Sequence, residues 1–253
     1  MILFSLSCVL LAWYGTTRSR ALAQRDAIEF LASPIEEVHF TDKVSRAETI
    51  YDFQFEGYKS RLYGFSKDVP HWSSDWLGVN FVHDVVAVEF NWNATAEHVS
   101  QLANFTKLKE LDISFKNQAA WDALRESASL EKLSIDLATR NALDKEYQPM
   151  HLFDLKRFRE LRELVLSNGP LNEVGFSEIS SSKSVRVLRL LNVGIARDDQ
   201  LNCPSLDQIK GFFLRVAHDS HLEGQFLRRF PNLNRLAISG DDELDDSILT
   251  EIG

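Results

Sequence analysis

Hydrophobic residues recur along the chain with a period close to 24 residues. Seven segments share one template, which is an apolar residue, two others, an apolar or small residue, one other and a final apolar residue. The steps between successive segments are 22 to 24 residues, except for one of 31 that indicates an insertion within Arg140–Met150. The first residues of the seven templates are Val85, Leu108, Leu130, Leu161, Val185, Ile209 and Leu233.

A second apolar stripe precedes most templates. Positions three, six and nine residues upstream are mostly apolar, as at Phe105, Leu102 and Val99. Residues three apart share a helix face, whereas the alternating template is typical of a strand, so each unit is predicted to run helix, turn, strand. Neighbouring units then close a common core. The predicted fold is α/β, a curved parallel sheet with outer helices. Its strands are Val85–Phe90, Leu108–Ile113, Leu130–Ile135, Leu161–Leu166, Val185–Leu190, Ile209–Leu214 and Leu233–Ile238.

The chain before the repeats divides into three parts. Residues 1–17 are hydrophobic, and Trp13 and Tyr14 at their edge are followed by Arg18, Arg20 and Arg25. Aromatic and then basic residues are the order found at a membrane interface, which predicts a hydrophobic helix acting as a membrane anchor. Residues 18–34 are predicted to form an amphipathic linker helix that Pro34 ends. Residues 35–70 are predicted to be a small β-rich segment, and residues 71–253 the repeat domain.

The hydrophobic run leaves two alternatives open. It is shorter than the roughly 20 apolar residues of a spanning helix, and it lacks the basic region that begins a signal peptide. A cleaved signal peptide and a soluble N-terminal segment are therefore the alternatives to an anchor. Missing upstream residues would account for both departures.

The repeats resemble a known family. Three segments that follow the pattern L-x-x-L-x-L of leucine-rich repeats are Phe105–Ser114, Phe158–Ser167 and Phe230–Ser239. The whole chain also resembles hypothetical membrane-anchored leucine-rich-repeat proteins of planctomycete bacteria. The segments that carry this wider resemblance are Leu10–Arg25, Tyr51–Phe55, Trp76–Gly78 and Phe81–Phe90.

This resemblance implies a leucine-rich-repeat solenoid that works by binding a macromolecule. At the asparagine position of the family, three residues after the last strand leucine, only Asn93 matches. Because the asparagine ladder normally ties successive turns together, its near absence predicts an irregular solenoid.

Charge and motifs limit the chemistry. The net charge of −9 argues against a nucleic-acid partner, because phosphate contacts need clustered Lys and Arg. Cys8 and Cys203 are far apart and follow no C-x-x-C spacing, which argues against a disulfide and a structural zinc site. No P-loop, G-x-S-x-G, H-E-x-x-H or G-x-G-x-x-G motif occurs. The chain is therefore predicted to have no catalytic residues, no cofactor and no metal.

The outward positions of the predicted strands suggest a binding face. The first four units carry five carboxylates and one lysine, whereas the last three carry three arginines and apolar residues, so the face is predicted to be a bipolar groove. Unselected surface charge is the alternative. The candidate binding residues are Glu89, Glu110, Asp112, Arg189, Leu191, Phe213, Arg215 and Arg235.

These observations predict a non-enzymatic, membrane-tethered interaction module that binds an unidentified protein partner through the concave face. A single N-terminal anchor in a bacterial inner membrane is expected, with its orientation open. A soluble cytoplasmic adaptor is one alternative. An enzyme-associated subunit with a site in residues 35–75 is another.

Overall fold

One sheet dominates the computed structural model, which describes residues 2–32, 38–39, 48–55, 58–66, 83–115, 118–124, 129–137, 154–195, 202–216 and 224–239. Its strands are β1 (Val38–His39), β2 (Glu48–Phe55), β3 (Tyr58–Ser66), β4 (His83–Ala94), β5 (Glu110–Phe115), β6 (Lys132–Asp136), β7 (Glu163–Pro170), β8 (Val187–Gly194), β9 (Gly211–Val216) and β10 (Arg235–Ser239). They lie side by side in chain order. Strands β1 to β4 pair antiparallel, and β4 to β10 pair parallel.

The seven parallel strands confirm the predicted α/β architecture with a parallel sheet. The last six begin two residues later than predicted, for a reason visible in the backbone. The first template residue of a unit closes its own turn, as Leu161 N donates to Phe158 O at 3.2 Å. The second already bonds to the preceding unit, as Arg162 N donates to Glu131 O at 2.7 Å. The regular ladder therefore starts at the third template residue.

Among the described residues, short helices precede four of the parallel strands. They are α2 (Ala96–Gln101), α3 (Gln118–Ala123), α4 (Glu173–Ser181) and α5 (Gly224–Leu227), and a 3-10 turn at Leu155–Arg157 precedes β7. The upstream stripe is buried wherever the structure describes it, including the bulky Trp121 and Phe176. Each helix thus covers the inner side of the sheet with one narrow apolar face, as the spacing of three predicts.

The core is built from matched positions in successive strands. One row in register contains Leu111, Leu133, Leu164, Leu188 and Phe212, all with at most 1% of their surface exposed. The same row ends at Leu236 of β10, which is only half-buried. Because each strand buries its inner residues against both neighbours, β10 is less covered than the strands before it within the described residues.

The long step between the third and fourth units leaves the sheet unchanged. Leu133 pairs with Leu164 in the same register that links the other units. Glycine is needed close to this junction, because a Cβ at Gly169 would lie 2.5 Å from Cβ of Leu137. The predicted insertion within Arg140–Met150 lies outside the described residues, and the pairing of β6 with β7 keeps its register.

Two asparagines form a turn contact that the family pattern does not predict. Asn168 and Asn192 adopt the left-handed conformation, with φ of 54° and 56°, which asparagine tolerates better than most residues. Their side chains meet, with Nδ2 of Asn192 donating to Oδ1 of Asn168 at 3.4 Å. They lie one residue before Gly169 and Val193, which occupy the expected asparagine positions inside β7 and β8.

A single long helix, α1 (Ile2–Ala32), precedes the sheet and crosses the boundary predicted near residue 17. Its second half packs on the repeats: Ala27, Ile28 and Leu31 are buried, and the ring of Phe30 lies 5.8 Å from that of His98 in α2. Among the described residues, no helix is both long enough and apolar enough to cross a membrane.

Candidate functional site

The candidate site lies on the outward face of the parallel strands. Strand β5 shows why this face is polar: its inner Leu111 and Ile113 are buried, whereas the alternating Glu110 and Asp112 are exposed. Strand pairing aligns such outward residues across the sheet. The central row contains Glu89, Asp112, Ser134, Val165, Arg189, Phe213 and Ala237.

A groove of about 480 Å³ crosses this face from β4 to β8. Its lining includes five of the predicted binding residues, which are Glu89, Glu110, Asp112, Arg189 and Leu191. The floor of the groove is partly apolar and partly charged, because the half-buried Leu191 and the buried Val165 lie next to charged side chains. Such a combination of apolar surface and charge suits recognition of another molecule.

Asp112 occupies an unfavourable position for a carboxylate. Although part of the residue is exposed, burial of its carboxyl group raises the pKa, and the negative charges of Glu89 and Asp136 raise it further. A hydrogen bond from Ser134 and the charge of Lys132 act in the opposite direction. The net effect is a pKa above the ordinary value of an aspartate, so the ionised form is incompletely stabilised by the protein.

Arg189 is held within the sheet by two neighbours. Its Nε donates to Oε1 of Glu163 at 2.7 Å, and its guanidinium carbon lies 4.3 Å from the ring centroid of Phe213. The ion pair and the cation–π contact fix the side chain across three strands. Arg189 therefore already has a carboxylate partner, whereas the bipolar groove was expected to offer it to an external one.

The chain matches no protein-family model and no curated protein.

The remaining predicted residues lie beyond the groove. Phe213 does not line the groove, but its ring contacts Arg189, which does. Arg215 and Arg235 are exposed on β9 and β10 and do not line the groove either. Arg215 is in register with Leu191, and Arg235 with Gly211. The eight predicted residues therefore share one face but do not form one cavity.

Seven of the lining residues were not among the predicted binding residues, and four of the seven form the middle of the groove. Lys132, Ser134, Glu163 and Val165 lie on the central strands β6 and β7 and complete the groove. Lys132 Nζ lies 3.6 Å from Oε2 of Glu110, so this cation is also paired within the sheet. The same outward alternation places all four on this face. The predicted residues were chosen from the two ends of the repeat array, whereas these four lie on the strands between them.

Two observations on the described residues concern metal binding and thiol chemistry. Among them, no three His, Cys, Asp or Glu side chains come together in a way that could hold a metal ion. The thiol of Cys203 is buried in the core, and burial raises its pKa to about 12, which disfavours the nucleophilic thiolate. Within residues 35–75, the structure describes strands of backbone but no side chains, so the alternative site there lies outside the described residues.

Proposed function

We propose that this chain is a leucine-rich-repeat interaction module without enzymatic activity, and that it binds a protein partner through the groove on the outward face of its parallel sheet. The observation that carries the proposal is the groove itself, which crosses five strands and exposes apolar and charged side chains together. Repeat proteins commonly bind partners on such extended sheet faces, because neighbouring units supply a continuous surface. The 22- to 24-residue step and the helix–strand units support the family assignment.

Attachment to a membrane through the first half of α1 is the second part of the proposal. Val9, Leu11, Trp13 and Tyr14 expose between 41% and 70% of their surface, a concentration of apolar groups that is unusual for a helix in water. The exposed Arg18 and Arg20 follow them, and cations beside an apolar segment favour an anionic membrane surface. A soluble cytoplasmic adaptor remains the competing hypothesis.

The binding proposal is tested with two matched substitutions in the full chain. Leu191→Arg places a bulky cation in the groove, whereas Val174→Arg makes a similar change at an exposed position of α4. Both variants and the wild type are used to capture partners from native membranes, after circular dichroism has shown that each is folded. Loss of the same captured protein with Leu191→Arg alone supports the proposal. Equal capture by all three proteins refutes it.

Membrane attachment has its own test. Leu11→Glu introduces a charge among the exposed apolar residues, and Ser19→Glu introduces the same charge further along α1. We expect Leu11→Glu to move the protein from the membrane fraction to the soluble fraction in a flotation assay, and Ser19→Glu to have a smaller effect. A wild-type chain that stays in the soluble fraction would favour the soluble adaptor.

A further inference from the structure

Two arginines on the last two strands project outward without an ionic partner in the sheet. Arg215 of β9 and Arg235 of β10 alternate with the inner apolar residues of their strands, and both are exposed. Within the described residues, neither side chain makes an ion pair or a hydrogen bond. They differ in this from Arg189, which Glu163 holds at 2.7 Å. The C-terminal end of the outward face therefore keeps two positive charges that the sheet does not neutralise.

An apolar surface lies between these two arginines. Phe213 and Ala237 are neighbours in the central row, and Ala237 is exposed while Phe213 is half-buried. Gly211 beside them has no side chain, so Val187 and Phe213 come within 3.4 Å and 3.5 Å of the point where its Cβ would lie. The two apolar side chains therefore lie close together above the glycine. Val187, Phe213 and Ala237, together with the two arginines, are the C-terminal patch.

The register of β9 and β10 sets the spacing of the arginines. Arg235 pairs with Gly211, and Arg215 lies at the fourth position after Gly211 on the same strand. With about 3.3 Å per residue and about 4.8 Å between strands, their Cα atoms are roughly 14 Å apart, and the midpoint lies over Phe213 and Ala237. In an extended peptide, residues four positions apart are separated by about 13 Å and project to the same side, as does the residue halfway between them.

We propose that the C-terminal patch binds an extended acidic segment of the protein partner. Two carboxylates four positions apart pair with Arg235 and Arg215, and an apolar side chain halfway between them packs on Phe213 and Ala237. This inference rests on the proposed function, since the patch adjoins the groove: the ring of Phe213 lies 4.3 Å from the guanidinium carbon of Arg189. Charge complementarity selects the occupant, because two unpaired arginines attract carboxylates and repel a basic segment.

Synthetic peptides test the chemistry and the spacing of the segment. The probes are four fluorescent peptides, capped at both ends, with the central sequences Glu-Ala-Leu-Ala-Glu, Gln-Ala-Leu-Ala-Gln, Glu-Ala-Leu-Glu-Ala and Glu-Ala-Gly-Ala-Glu. Their binding to the full chain is measured by fluorescence anisotropy at low ionic strength. We expect the first to bind most tightly, because the second has no carboxylates, the third turns one carboxylate to the opposite side and the fourth lacks the apolar contact. Since the chain has a net charge of −9, general attraction to the protein would not favour the acidic peptide over the neutral one.

Two double variants locate the binding. Arg215→Gln with Arg235→Gln removes both charges of the patch, whereas Arg159→Gln with Lys183→Gln removes two charges from the exposed turns before β7 and β8. We expect the first pair to weaken the Glu-Ala-Leu-Ala-Glu peptide about tenfold, since each exposed ion pair contributes up to about fivefold, and the second pair to change it less than twofold. The inference is overturned if the neutral peptide or the peptide with shifted spacing binds as tightly as the first, or if the two double variants behave alike.

The chain itself contains a competing acidic segment. Asp241, Asp242 and Glu243 follow β10 in the sequence and lie outside the described residues. A full-length variant with Asp241→Asn, Asp242→Asn and Glu243→Gln distinguishes the two occupants. If the patch is open to a partner, this variant should bind the first peptide less than fivefold more tightly than the wild type. A larger gain would assign the patch to the acidic segment of the chain and overturn the proposal.

The two proposals fail separately. A chain that does not prefer the first peptide, while Leu191→Arg still abolishes partner capture, would leave the binding module intact and refute only the acidic segment. Partner capture that is indifferent to Leu191→Arg would refute the proposed function, whatever the peptides show.

Discussion

The side-chain oxygen of Gln24 in α1 accepts a hydrogen bond from the backbone nitrogen of Val85 in β4, at 3.3 Å. Both residues are buried, with 5% and 0% of their surface exposed. The bond joins the N-terminal helix to the strand that opens the parallel part of the sheet. The second half of α1 is therefore a structural part of the repeat body, whereas the first half exposes its apolar residues.

This bond leads to the first prediction. Gln24→Ala leaves the buried nitrogen of Val85 without this acceptor, which should cost about 1–3 kcal/mol in the free energy of unfolding. Gln225→Ala, at an exposed position of α5, should change it by less than about 0.5 kcal/mol. Urea denaturation measures both values. Equal free energies of unfolding for the two variants would mean that the Gln24–Val85 hydrogen bond does not stabilise the packing of α1 on the sheet.

The leucine row supplies a matched pair of core substitutions. Leu164 is fully buried and Leu236 is half-buried at the same register position. Leu164→Ala should lower the free energy of unfolding by about 2–5 kcal/mol through lost burial and a cavity. Leu236→Ala should lower it by less than half as much, because it removes less contact from a partly covered strand. The urea midpoint of Leu164→Ala should therefore be lower than that of Leu236→Ala. The reverse order would contradict the deeper burial of Leu164.

Asp112 should make stability depend on pH in a direction opposite to that of most carboxylates. Because its pKa is raised above 3.8, the folded chain holds the proton more tightly than the unfolded chain. Its contribution to the free energy of unfolding therefore falls as the pH rises from about 3.8 through the raised pKa, and is constant above it. Glu89 and Asp136 strengthen this effect, while Lys132 and Ser134 oppose it.

The expected result is that Asp112→Asn is more stable than the wild type at pH 7 and that this advantage shrinks at pH 4. Urea titrations at both pH values measure it, with Glu160→Gln as the charge-matched control. A variant that is less stable than the wild type at pH 7 would show that the carboxylate is well stabilised where it lies.

The thiol of Cys203 should resist alkylation in the folded protein. A pKa of about 12 leaves almost no thiolate at pH 8, and the side chain is also buried. Mass spectrometry of the peptide containing Cys203, after treatment with iodoacetamide, should show little modification without denaturant and full modification in concentrated urea. Rapid modification of the folded chain would place the residue outside the core.

The sequence was sufficient to predict the parallel sheet because its period repeats a physical unit. The inner positions of the template, such as Leu111, Leu164 and Leu188, follow from strand alternation alone, and all three are buried. The first residue of each strand could not be predicted in the same way. The first template residue donates its backbone hydrogen bond within its own turn, and the second donates to the backbone of the preceding unit. A hydrophobic pattern contains no information on those bonds.

The candidate site was predictable as a face but not as a cavity. Arg189 and Phe213 occupy the same outward position of two successive templates, and strand spacing and register place them side by side. The diagonal contact of Arg189 with Glu163 depends on side-chain conformation, which no column of residues specifies. That contact changes the expected chemistry, since an arginine paired within the sheet offers less to a partner than an unpaired one.

The junction between β6 and β7 has a consequence for how this protein can change. The register of Leu133 with Leu164 is kept although the step between their units is 31 residues instead of about 24. Distance along the chain and distance across the sheet are therefore independent at this point. Residues gained or lost between Leu137 and Asp154 would leave the spacing of Asp112, Val165 and Arg189 unaltered, so a reporter can be inserted in this segment while the groove is preserved.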